Sequence, residues 1–171
     1  MRTIRFWITL SYCLFAIAIF ASAQGRKPGL WELTTVMTWQ QSPFPPGTPA
    51  SVAALGAAGG AHTTQVCLTQ EQIDKYGAIV PDSHSGDCKV TNVVKSSNGM
   101  TADWLCSGRM SGKGTLESTF YADGRAKGKV HFIGSLQAGP NPLPVEWTAE
   151  STSVFKGTDC GAVKPRPMSD K

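Results

Sequence analysis

Charge is scarce in this chain, histidine is scarcer, and the usual short signatures of catalysis are missing. Asp, Glu, Lys and Arg make up 16% of the 171 residues, against about 25% in an average soluble domain. The formal net charge is only +4, and nothing in that balance asks for nucleic acid or an anionic membrane as a partner. His62, His84 and His131 are the whole supply of imidazole; their spacing brings no two together, and each reads as a surface histidine. There is no Cys-x-x-Cys pair for redox exchange or zinc and no Gly-x-Ser-x-Gly nucleophile elbow. No catalytic, metal or cofactor-binding residue is therefore assigned. Strand–helix–strand alternation is also lacking, which argues against a parallel α/β fold. The apolar run Phe6–Phe20, 15 residues broken by Thr9, Ser11 and Tyr12, is short of the roughly 20 needed to span a membrane.

What surrounds that run has the form of a leader. Met1-Arg2-Thr3-Ile4-Arg5 is a basic start, and Ala21-Ser22-Ala23 is a small-residue cleavage site before Gln24. The expectation is a secretory signal peptide over residues 1–23, cut between Ala23 and Gln24. Removing 23 of 171 residues leaves 148, and losing Arg2 and Arg5 lowers the charge from +4 to +2. That length suits one domain. A periplasmic or secreted location is oxidising, so Cys67, Cys88, Cys106 and Cys160 are expected in disulfides, while Cys13 leaves with the leader. The product does not span a membrane once the leader is gone.

After a lead-in over residues 24–29, a β-rich domain is expected over residues 30–160. Leu30–Trp39 alternates strictly, with Trp31, Leu33, Thr35, Met37 and Trp39 on one face. The stretch 40–61 is uncharged and rich in Pro, Gly and Ala; Pro43, Pro45, Pro46 and Pro49 keep it out of helix and central strand. It reads as a mobile excursion or as an apolar lid over a cavity, with one or two helical turns through Ser51–Ala58. His62–Leu68 is a second strand. Thr69-Gln70-Glu71-Gln72 carries a capping box that opens a short helix ended by Gly77. From Cys88 onward an antiparallel meander follows: Cys88–Lys95, Met100–Ser107, Lys113–Tyr121, Arg125–Leu136 and Val145–Phe155, with Arg109–Gly112 as one of its turns. Residues 161–171 read as a flexible tail. The fold class is thus mainly β, a single-domain curved antiparallel sheet or small half-barrel of about seven strands with one short helix.

Four cysteines allow three pairings. A hairpin over Cys88–Ser107 that turns about Ser97 sets Cys88 directly opposite Cys106, at the separation a disulfide needs. A tight turn on Asn98-Gly99 shifts the register and parts them, so this pairing asks for a longer turn. Cys67 is then left for Cys160. The pairing of Cys67 with Cys88 and of Cys106 with Cys160 stays open as the alternative.

Parity also selects a candidate interior. Met100, Ala102, Trp104 and Cys106 share a face, as do Leu116, Ser118 and Phe120. Val130, Phe132, Gly134 and Leu136 form a third set, and Val145, Trp147, Ala149 and Ser151 a fourth. Large residues mixed with Gly, Ala and Ser suit a strongly curved sheet, and Trp104, Phe120, Phe132 and Trp147 are the candidate ligand-lining residues. Glu146 and Glu150 share the opposite face of the last strand. They are expected to meet Arg125, Lys127, Lys129 and His131 in a cross-strand ladder rather than to act as a glycosidase-like couple.

The run Pro28-Gly29-Leu30-Trp31-Glu32, then Cys67-Leu68-Thr69-Gln70-Glu71, then three further cysteines, resembles the small exported bacterial proteins of domain of unknown function family 3617. The resemblance covers Gly29–Gly161 and includes a variable insert after the first strand. It implies export, a bacterial envelope setting, a β-rich fold and structural cysteines, and it supplies no activity or cofactor. The leading expectation is a non-enzymatic binding module for an apolar or lipid-like small molecule. An envelope protein-interaction or inhibitor domain that docks through its loop is the alternative, and a hydrolase with an unrecognised site is the third.

Overall fold

Alternating apolar and polar residues build seven strands in the computed structural model, which describes residues 27–44, 60–81 and 87–166. The expected leader, the helical turns suggested for Ser51–Ala58 and the loop histidine His84 lie outside the described residues. The strands are β1 (Gly29–Gln41), β2 (Ala61–Leu68), β3 (Cys88–Lys95), β4 (Gly99–Ser107), β5 (Met110–Phe120), β6 (Arg125–Leu136) and β7 (Leu143–Gly157). One helix, α1 (Gln70–Tyr76), lies between β2 and β3 in the chain. All pairings are antiparallel, in one sheet of order β2-β1-β7-β6-β5-β4-β3. The class is mainly β, and the sheet is not closed.

That order explains the curvature. β2 and β3 are consecutive strands yet stand at opposite edges, which a flat seven-stranded sheet would hold about 29 Å apart. Asp74 lies only six residues beyond the end of β2, yet its carbonyl accepts from Lys95 Nζ at the end of β3, at 2.5 Å. The edges must therefore curl toward each other, with α1 between them. Ile73 and Ala78 join the same buried cluster as Leu68 of β2 and Cys88 of β3.

Local chemistry sets the ends of α1. Thr69 Oγ1 accepts from Gln72 N at 3.2 Å, and Gln72 Oε1 accepts from Thr69 N at 2.9 Å. This satisfies two of the free donors at the helix start. Gly77 closes the helix in the left-handed conformation (φ 75°). Gln72 is only 8% exposed, and its side-chain amide also donates to the carbonyl of Arg166 at 2.9 Å.

The β3–β4 hairpin differs from expectation in an instructive way. Its turn is short, with Ser96 N donating to the carbonyl of Gly99 at 2.9 Å across Ser97-Asn98, not the longer turn expected from facing cysteines. A bulge makes up the register instead. Between Thr91 and Val94, β3 carries two residues against one on β4. Asn92 sits there at φ 52°, a region asparagine tolerates because its amide finds a local partner; that partner is Asp103 Oδ2, at 2.6 Å. Past the bulge Cys88 stands opposite Cys106. The next turn is also earlier than expected: it falls on Gly108-Arg109, and Gly112 lies within β5.

Disulfides join Cys88 to Cys106 (Cα–Cα 4.0 Å) and Cys67 to Cys160 (5.5 Å). The first staples a hairpin; the second ties an edge strand to the chain beyond β7. Loop-closure entropy gives them at most about 3 and about 4.6 kcal/mol respectively. Where a flexible tail was expected from Gly161, residues 161–166 return to the β2–α1 junction. Pro165 forms a parallel bridge with Cys67, and Val163 N donates to the carbonyl of Cys160 at 3.0 Å.

Candidate functional site

The inward-facing residues fall into rows across the sheet, each about 6.7 Å from the next because side chains of like parity are two residues apart. One row holds Trp39, Trp147, Phe132, Gly114 and Trp104. Next come Met37, Ala149, Val130, Leu116 and Ala102. The third row holds His62, Thr35, Ser151, Gly128, Ser118 and Met100, and the fourth Thr64, Leu33, Ser153, Ala126 and Phe120. Trp31, packed edge-on against Phe155 with ring centroids 5.4 Å apart, begins the fifth.

These rows do not pack solid. They line a half-open cavity of about 740 Å³, within the range of small-molecule sites, whose wall includes Met37, Trp39, Met100, Trp104, Met110, Leu116 and Trp147. Ile79, Val80 and Pro81, which follow α1, also border it, as do His62 and Arg166.

Of the four residues expected to line a ligand, Trp104, Phe120 and Trp147 border the cavity. Phe132 does not: it is wholly buried (0% exposed) and forms the layer beneath. Its ring stacks on Trp147 at 5.4 Å (interplanar angle 22°) and meets Trp104 edge-on at 5.6 Å. Trp104 meets Trp147 edge-on at 5.8 Å. Glycine makes room for this ring. A Cβ on Gly112 (φ 149°) would lie 2.4 Å from the carbonyl oxygen of Ile133 and 3.0 Å from Phe132 Cζ, so a larger residue would collide with the β6 backbone first and crowd the ring as well.

Two features of the wall lie outside the four ligand-lining residues expected from the sequence. The methionines Met37, Met100 and Met110 add soft, adaptable surface; their parity with the tryptophans was the available signal. Hydroxyls occupy the third and fourth rows, and those of Thr35, Thr64, Ser151 and Ser153 have no hydrogen-bond partner among the described residues. Ser153 is 5% exposed. Trp39 Nε1, at the other end, is buried without an acceptor among the described residues.

The opposite face is polar. Lys129 Nζ stands 3.8 Å from Glu150 Oε1, and His131 Nε2 stands 2.9 Å from Glu146 Oε1. Arg125 and Lys127 do not join this ladder. The register sets them opposite Val154 and Thr152 rather than a carboxylate, and Arg125 pairs with Asp123 in its own turn at 2.6 Å. Thr115 and Thr148 flank His131 in register and share a shallow polar groove with it, but neither hydroxyl is hydrogen-bonded to the imidazole. Among the described residues no three His, Cys, Asp or Glu side chains stand together as a metal site, and no helix is long and apolar enough to cross a membrane.

The family model described as Protein of unknown function (DUF3617) matches residues 26–160. No curated protein and no solved structure matches the chain.

Proposed function

The chain belongs to the family of unknown function DUF3617, and we propose that it works as an exported, non-enzymatic binding module whose concave face holds an apolar, lipid-like molecule. One observation carries this reading: the interior of the curved sheet is a cavity of about 740 Å³ bordered by Trp39, Trp104, Trp147 and three methionines. Burying apolar ligand surface there stabilises a complex by roughly 25 cal/mol per Å² before the cost of immobilising the ligand. Rigid tryptophans supply area at little entropic cost, and methionine adapts to the shape of an acyl chain. Export to the periplasm or the medium is part of the proposal, supported by the leader-like start of the chain and the two disulfides.

The test is native mass spectrometry on protein purified from the envelope fraction, joined to tryptophan quenching by bromine-labelled acyl chains. The reading expects a retained lipid-like mass at one per chain and saturable quenching. A bare polypeptide mass with only linear, collisional quenching would remove it.

A further inference from the structure

The cavity is polar at one end only, and we infer that its occupant is a single-chain amphiphile with one carboxylate head, held by Arg166 with the tail against the tryptophans. This deepens the reading just given and rests on it. Rows one and two contain no charged or hydroxyl-bearing residue; Trp39 Nε1, a neutral donor, is their one orphaned polar atom among the described residues. Rows three and four bring Thr35, Ser118, Ser151, Thr64 and Ser153 to the same floor. Four rows span about 20 Å, so the polar and aromatic ends are a lipid-chain length apart.

Arg166 stands at the polar end by construction. The Cys67–Cys160 disulfide and the Cys67–Pro165 bridge return the chain to the end of β2, and Gln72 holds the carbonyl of Arg166 at 2.9 Å. Arg166 borders the cavity, is only partly exposed, and has no carboxylate partner among the described residues. A planar guanidinium with no counter-ion among the described residues matches a planar carboxylate in charge and in donor spacing. The hydroxyl of Ser153, which borders the same cavity, is a further donor. Lys127, Lys129 and Glu117 also border the cavity, but all three have the outward parity opposite to Ala126, Gly128 and Val130, and Lys129 is engaged with Glu150. Among the described residues of the lining Arg166 is thus the one permanently charged side chain without outward parity, and a single cation matches the charge of a carboxylate better than that of a doubly charged phosphate monoester.

The experiment compares palmitate with methyl palmitate, below their aggregation concentrations, by tryptophan quenching on the full mature chain and on Arg166→Gln. Palmitate should bind wild type about ten-fold more tightly than the ester, the value of one charge-assisted contact, and the acid-over-ester preference should fall to near unity in Arg166→Gln. Equal affinity of wild type for acid and ester would overturn the carboxylate assignment while leaving the cavity reading standing. A preference that survives in Arg166→Gln would overturn the role of Arg166. Binding of neither probe would sink both this inference and the reading beneath it. The wild-type comparison needs no variant, so it decides even if Arg166→Gln folds poorly.

Discussion

The concave and convex faces of this sheet are made from alternate residues of the same strands, yet they obey different rules. On β6, Val130 and Phe132 point inward while Lys129 and His131 point outward; on β7, Trp147 and Ala149 oppose Glu146 and Glu150. The inward set gains from the removal of apolar area from water and from ring-on-ring contact. The outward set makes pairs of exposed charges, each contributing little against solvent screening. The fold therefore depends on one face, whereas the other presents charge to solvent.

The sharpest way to break this contrast is Phe132→Ala. The ring is fully buried between Trp104 and Trp147, so its removal should cost about 3–5 kcal/mol in denaturant unfolding. A loss under about 1 kcal/mol would mean that the aromatic layer does not hold the sheet. Next in size, replacing Cys67 and Cys160 together by Ser should destabilise by about 2–4 kcal/mol. It should also release residues 161–166 from β2, seen as faster amide exchange at Val163, whose N–H donates to the carbonyl of Cys160.

On the convex side Lys129→Met should change stability by no more than about 1 kcal/mol, since Lys129 and Glu150 are 55% and 71% exposed in their side chains. A larger cost would erase the distinction between the faces. The smallest effect concerns Asp123, whose carboxyl titrates below its usual range because the Arg125 side chain, and then its backbone N–H, donate to it. A carboxyl pKa lowered by folding contributes stability that is present at neutral pH and is lost as pH falls through the folded value. An NMR titration of Asp123 should thus show a midpoint below that of an unpaired aspartate, and Arg125→Gln, which removes the side-chain donor but keeps the backbone one, should raise that midpoint.

Much of the fold was legible because parity is strict. Met100, Ala102, Trp104 and Cys106 could be set on one face from spacing alone, and the capping box at Thr69 marked α1 without any tertiary information. The short turn at Ser97-Asn98 was not legible as the partner of facing cysteines, because the compensating bulge depends on one left-handed asparagine, and Asn92 carries no local mark of it. Strand order was equally hidden. Pairing β1 with β7 brings together residues more than a hundred positions apart, and it is this pairing that sends the β2–β3 connection across the open side of the sheet. Of the site, three aromatics were visible as inward large residues. Phe132 was mistaken for wall because parity cannot separate a surface layer from the one beneath it. Arg166 was invisible, since its place depends on Cys67, the partner of Cys160, and on the amide of Gln72, both remote from it in sequence.

The account stands most directly on where an acyl chain lies in the cavity. Palmitate brominated near its methyl end, compared with palmitate brominated near its carboxyl, measures this through tryptophan fluorescence, because Trp39, Trp104 and Trp147 sit at one end of the cavity. Saturable quenching that is stronger for the methyl-end bromine is the predicted result. Stronger quenching from the carboxyl end, or none that saturates from either, would contradict it.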